Sequence, residues 1–146
     1  MYKDCKIATS IQYTDNIFYM KIDIENRNDI EMVVNAFYEK VKTDDILGPV
    51  FNVLIPVNWD THLPVMYQFW ENIIFHTGSY TGNPMTLHKY IQNKISISAD
   101  QFDRWIQLFN QTTDELFEGK NASLAKQRAA GIAAVMKHKI LTEHKD

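Results

Sequence analysis

The chain has 146 residues, long enough for one domain with a sizeable core. Its formal net charge of -3 and the absence of any Lys/Arg run remove the electrostatic footprint of a nucleic-acid or anionic-membrane binder. No stretch is apolar for the length of a bilayer span, the N-terminus lacks an apolar signal core, and the single cysteine, Cys5, excludes an internal disulfide framework, so a cytoplasmic protein is expected.

The aromatic load is heavy for this length, with eight Phe, seven Tyr and three Trp. That bulk must be buried, ring on ring or against a flat apolar ligand. Residues 17–24 alternate partly between apolar and polar, which predicts a strand or an extended arm without chemistry of its own. Helical organisation begins at Asn28, where Glu31 three positions later completes a capping-box pattern. Ile30, Val33, Val34, Phe37, Tyr38 and Val41 then recur at helical spacing, predicting a helix that ends near Lys42. Thr43-Asp44-Asp45 predicts a short helical turn stopped by Gly48-Pro49, with Phe51 just beyond it in a connecting segment.

Asn58 is a natural cap for the next helix, whose inward face reads His62, Met66, Phe69, Trp70, Ile73 and Ile74. Pro64 lacks an N–H and disfavours helical geometry at Leu63, so a kink or irregular first turn is expected there. The helix should stop by Gly78, and Pro84 opens a short segment carrying Leu87, His88 and Ile91. A long helix over 99–119 follows, with Phe102, Trp105, Phe109, Thr112 and Leu116 on one stripe. Asn121 or Ser123 would cap a last helix reaching about Thr142, where Ala129, Ala130, Ala133 and Ala134 permit close packing. The pattern is that of an all-α chain.

The five histidines, His62, His76, His88, His138 and His144, include no pair at the i, i+4 spacing of a helical metal clamp. There is no Glu-x-x-His for a di-iron bundle, no CxxC or HExxH, and no CxxCH for covalent haem. A single-histidine site remains, and haem is the cofactor that needs only one strong protein ligand. His88 sits beside Leu87 and Ile91, which would hold its imidazole in an apolar cleft. Taken alone, such a histidine is more often partly buried and satisfied by backbone. Tyr38, His62 and Trp105 each place a polar tip on the apolar stripe of a different helix. Singly, Tyr38 and Trp105 read as core aromatics bonded to carbonyls, and His62 as an exposed residue near a helix start. Jointly with His88 they favour a haem whose diatomic ligand accepts from buried donors. Cys5 reads as an incidental thiol, and the Asn121-Ala122-Ser123 sequon as chance.

Five stretches carry a resemblance. They are Phe37-Tyr38-Glu39-Lys40-Val41, Leu47-Gly48-Pro49-Val50-Phe51-Asn52, Trp59-Asp60-Thr61-His62-Leu63-Pro64 with Phe69-Trp70, Tyr80-Thr81-Gly82-Asn83-Pro84 through His88, and Phe102-Asp103-Arg104-Trp105 through Phe109. In this order and at this spacing, over roughly residues 28–140, they resemble the truncated haemoglobins, and within them the third group. The chain has no Gly-Gly pair, which the first two groups typically carry, and Pro64 matches the third group's usual sequence.

The resemblance implies a two-over-two helical sandwich around haem b, bound non-covalently, over residues 28–146, with residues 1–27 as an N-terminal extension. It makes His88 the proximal iron ligand and Phe51 the ring packed on the haem. Phe37, Met66, Trp70, Leu87 and Ile91 would line the pocket, with Tyr38 and Trp105 as distal donors and His62 as a distal or gating residue. The implied function is tight binding of O2 and of other diatomics such as CO and NO. The rival is a redox enzyme acting on NO or peroxide, served by a separate reductase because no flavin or nicotinamide domain is evident in the chain. A third class, a haem-free helical interaction module, predicts a colourless protein.

Overall fold

The computed structural model describes residues 21–54, 58–78 and 97–143, and the segment with Leu87, His88 and Ile91 lies outside them. Four α-helices occur among the described residues: α1 (Arg27–Thr43), α2 (Trp59–Phe75), α3 (Ala99–Leu116) and α4 (Lys120–Glu143). A π-helical turn, Val50–Leu54, follows the α1 corner, and no strand is present among the described residues. The main contacts run α1 to α2, α2 to α4, α4 to α3 and α3 back to α1. This closed circuit of two helix pairs gives the all-α, two-over-two arrangement that the motifs implied.

The core is the shared apolar side of these helices. Ile30, Val33, Val34, Phe37 and Val41 of α1 are all at most 3% exposed, which is the stripe read from their spacing. They meet Phe69, Trp70 and Ile74 of α2 and Leu108 and Phe109 of α3. On α4 the small residues Ala122, Ala125, Ala129 and Ala133 are buried, while Ala130 and Ala134 face outward. The expected alanine seam is therefore shifted, with one alanine per turn on the inner face.

The ends of the helices depart from expectation in instructive ways. α1 begins at Arg27, capped by Asn26, whose side chain accepts from the Asp29 N–H at 3.0 Å; Asn28 lies inside the helix. A second asparagine two residues upstream made the better cap. α2 starts after Asn58 as expected and runs through Pro64 without a break. Pro64 removes only the bond to the Asp60 carbonyl, and Asp60 is exposed to water. α3 has a full capping box, Ser98 with Gln101. α4 is not capped locally by Asn121 or Ser123: its Asn121 and Ala122 N–H groups donate to the Asp23 carboxylate at 2.8 and 2.9 Å.

Residues 22–24 are thus tied to the helical body, although the sequence assigned them no role. Ile24 is 1% exposed in the core, and the Ile22 carbonyl accepts from the Glu118 N–H at 3.0 Å. Gly119 makes this joint possible. Its φ of +148° suits glycine, and a Cβ there would stand 2.5 Å from the Asp23 Cγ.

Candidate functional site

The corner after α1 is the first device that builds the site. Asp44 accepts through Oδ2 from the Ile46 and Leu47 N–H groups, both at 3.1 Å, and through Oδ1 from Arg104 Nε and Nη2 at 2.8 and 2.6 Å. The Arg104 guanidinium, helped by those two backbone donors and opposed by burial, holds the Asp44 carboxyl below its ordinary value. The expected stop at Gly48-Pro49 is absent, for the chain passes helically through both residues into the π-helical turn. Pro49 falls at the start of that helical stretch, where a missing N–H costs little. Gly48 is needed for close approach, since a Cβ would lie 2.9 Å from the Lys42 carbonyl oxygen. Asn52 Nδ2 donates to that same oxygen at 2.9 Å, so Phe51 is held on a helical turn and not in a loose connection.

The rings fall into two groups. The first gathers Tyr38, Phe51, Trp59 and His62. Tyr38 lies 6.3 Å from Phe51, 5.1 Å from Trp59 and 5.5 Å from His62 between ring centroids. Trp59 also meets His62 edge-on at 5.7 Å. The second is Phe37, Trp70, Trp105 and Phe109: Phe37 meets Trp105 at 5.7 Å and Phe109 at 5.3 Å, and Phe109 stacks on Trp70 at 4.9 Å. Phe37 and Tyr38, 4.9 Å apart, join the groups, and Met66 packs half-buried against the same core.

One polar tip in the first group lacks a partner among the described residues, and a second polar group stands beside it. His62 Nε2 is buried without a hydrogen bond. Burial pushes the imidazole below its ordinary value of 6.5, so it is neutral near pH 7. The Tyr38 ring is 7% exposed. Burial pushes this phenol upward, so it remains protonated and able to donate. Buried polar atoms normally find partners, and the exceptions require an explanation. A small polar ligand between these rings would supply one.

Of the residues the sequence singled out, the structure brings Tyr38, His62 and Phe51 together. Phe37, Trp70 and Met66 lie alongside, and Trp105 joins through Phe37 and Phe109. His88, Leu87 and Ile91 lie outside the described residues. Sequence reasoning missed Trp59 and Lys42 as parts of the site. Trp59 precedes His62 by three positions on one helix face, and Lys42 follows Tyr38 by four, but this spacing alone does not set either residue apart from ordinary surface. Among the described residues no cluster of three His, Cys, Asp or Glu could hold a metal ion by itself. Aromatic rings grouped around a buried, unpartnered imidazole nitrogen and a protonated phenol instead fit a flat apolar group carrying its own metal. No described helix is long and apolar enough to cross a membrane.

No family model matches the sequence. The chain is 29% identical over 118 residues, 79% of its length and 91% of the relative's, to the group 3 truncated haemoglobin ctb of Campylobacter jejuni. Its fold matches the crystal structure of a group III truncated haemoglobin from Campylobacter jejuni with a TM-score of 0.71 at 27% identity, covering 83% of this chain and 95% of that one. A cold-adapted truncated haemoglobin from the Antarctic marine bacterium Pseudoalteromonas haloplanktis matches with a TM-score of 0.59 at 21% identity, covering 76% of this chain and 90% of that one, a likeness of fold alone.

Proposed function

Starting from the likeness to group III truncated haemoglobins that sequence and fold share, we propose that this chain holds haem b non-covalently and binds O2, and also CO and NO, tightly. The observation that carries the reading is His62 Nε2, a buried nitrogen without a partner, set edge-on to the Tyr38 ring. His88 is the side chain assigned to the iron, a role that requires a hydrogen bond on its second ring nitrogen to fix the tautomer. Phe51 is assigned to pack on the macrocycle, and Phe37, Met66, Trp70, Leu87 and Ile91 to line it. When bound, the haem supplies a ferrous iron with an open position for a diatomic ligand.

The chain's own contribution is to hold donors in place before the ligand arrives. The Tyr38 hydroxyl projects from a ring fixed by Phe37, Phe51, Trp59 and His62, so it reorganises little. The surrounding rings exclude water, which strengthens a hydrogen bond to a ligand that gains negative charge. Such a charge-assisted bond contributes about 1.5–3 kcal/mol. Trp105 is the proposed second donor, its ring fixed by Phe37 and Phe109. Two bonds of this strength slow release by several orders of magnitude, which suits a carrier poorly. The Tyr38 phenol set beside the unpartnered His62 Nε2 also favours a second reading, a redox enzyme acting on NO or peroxide that draws electrons from a separate donor.

The test is the visible spectrum of protein produced with adequate haem, recorded as purified and after dithionite and CO. A Soret band with a CO-shifted ferrous form is expected, lost in His88→Gly and recovered with added imidazole. A colourless protein that takes up no haemin overturns the proposal.

A further inference from the structure

We infer that Lys42 is a positioning residue for the pocket: through the indole of Trp59 it keeps the solvent side of His62 covered and so limits how fast a small ligand gets in. The ligand part of this inference rests on the haem reading above; the cover itself does not.

Two rings touch the His62 imidazole, those of Tyr38 and Trp59. Tyr38 is 7% exposed and stands on the core side, while Trp59 is only partly buried and stands on the solvent side. His62 as a residue is also partly exposed, yet its Nε2 is fully covered without a bond. Of the two rings, Trp59 is the one whose displacement would open the imidazole to solvent. It is the first residue of α2, and a helix's first turn is where it opens most readily, so the indole needs support from outside its own helix. On the inside it leans on Tyr38 at 5.1 Å and Phe51 at 6.2 Å. On the outside the Lys42 ammonium lies 4.7 Å from its ring centroid.

That ammonium is well placed. Lys42 lies one helical turn beyond Tyr38 on α1, and its Nζ also pairs with Glu39 at 3.1 Å. Its carbonyl accepts from Asn52 and lies against Gly48, which locks its backbone to the turn that carries Phe51. Lys42 thus joins two walls of the pocket, α1 and the π-helical turn, to a third residue at the start of α2. A cation over an indole face at a partly exposed site shifts an equilibrium by about two- to five-fold. Opening of the Trp59 cover should change by that factor when the charge is removed.

Lys42→Met keeps the apolar stem and deletes the charge, and Lys42→Arg restores a cation over the ring. In as-purified full-length protein, the rate of His62 modification by diethyl pyrocarbonate is measured by peptide mass spectrometry, with exposed His76 as the internal reference. CO rebinding after flash photolysis is measured on the same preparations. His62 modification and bimolecular CO rebinding should both rise about two- to five-fold in Lys42→Met and return to the wild-type rates in Lys42→Arg. Equal His62 reactivity in all three proteins overturns the inference, as does an arginine variant as fast as the methionine one. A His62 response in the expected order from protein that forms no CO complex keeps the cover and removes the haem reading, so the two failures are distinguishable.

Discussion

A phenol and an imidazole stand edge to face with centroids 5.5 Å apart, and what their polar tips can bond decides how the pocket behaves. Tyr38→Phe removes one oxygen and keeps the ring that packs against Phe37, Phe51 and Trp59. Those ring contacts are kept, so folding should change little. At about 1.5–3 kcal/mol for the lost bond and 1.4 kcal/mol per decade, the O2 dissociation rate should rise roughly ten- to hundred-fold. CO, a weak acceptor, should be affected much less. Stopped-flow dissociation measurements check this, and an unchanged O2 rate would remove Tyr38 from its assigned role. At this scale the sequence was legible where a polar tip interrupted an apolar stripe, as at Tyr38 and His62. It was not legible at Trp59 and Lys42, where a residue beside a cap and a lysine in a last turn both look like ordinary surface. Only the fold sets the ammonium over the indole.

Among the elements, long-range joints matter more than local signals. The helices themselves were readable from the spacing of Ile30 to Val41 on α1 and of His62 to Ile74 on α2, because 3.6-residue periodicity is a local property. Caps borrowed from elsewhere have no such signature. Asp23 reaches across 98 residues to the first turn of α4, and nothing near Asn121 announces it. The stop read at Gly48-Pro49 failed for a similar reason: Gly48 answers to the Lys42 carbonyl and not to a turn. Gly119→Ala tests the α4 joint. An added Cβ would meet Asp23 Cγ at 2.5 Å in a backbone conformation that L residues rarely adopt, so strain and displacement of the cap act together. A loss of about 1–3 kcal/mol is expected in urea unfolding. Asp23→Ala should cost about 1–2 kcal/mol as a lost cap. Because both changes break one joint, the double variant should lose clearly less than the sum. Additive losses would mean that Gly119 and Asp23 act independently.

At the scale of the whole molecule, proton binding couples the pocket to the joints. His62 sits below its ordinary value of 6.5 because burial disfavours its charged form. Asp44 sits below 3.8 because Arg104 and backbone donors favour its carboxylate over the opposing burial. Asp23 also sits below 3.8: burial opposes this, but the N–H groups of Asn121, Ala122, Ile24 and Lys120 together outweigh it. In all three cases the unfolded chain binds the proton more readily than the folded one, so each contributes stability that disappears as pH falls. The His62 contribution is complete above about pH 6.5 and declines below it as pH falls through the folded value. The two aspartates are complete above about pH 3.8 and decline below that. A two-stage fall in the urea midpoint with decreasing pH is therefore expected, measured on a single preparation because any bound ligand adds its own linkage. His62→Gln should flatten the upper stage and leave the lower one. Asp44→Asn should reduce the lower stage and leave the upper one, while lowering the midpoint throughout, because it weakens the Arg104 bridge between the α1 corner and α3. A midpoint that rises as pH drops below 6.5 would show that His62 is stabilised as the cation, and the neutral, ligand-facing imidazole would be wrong.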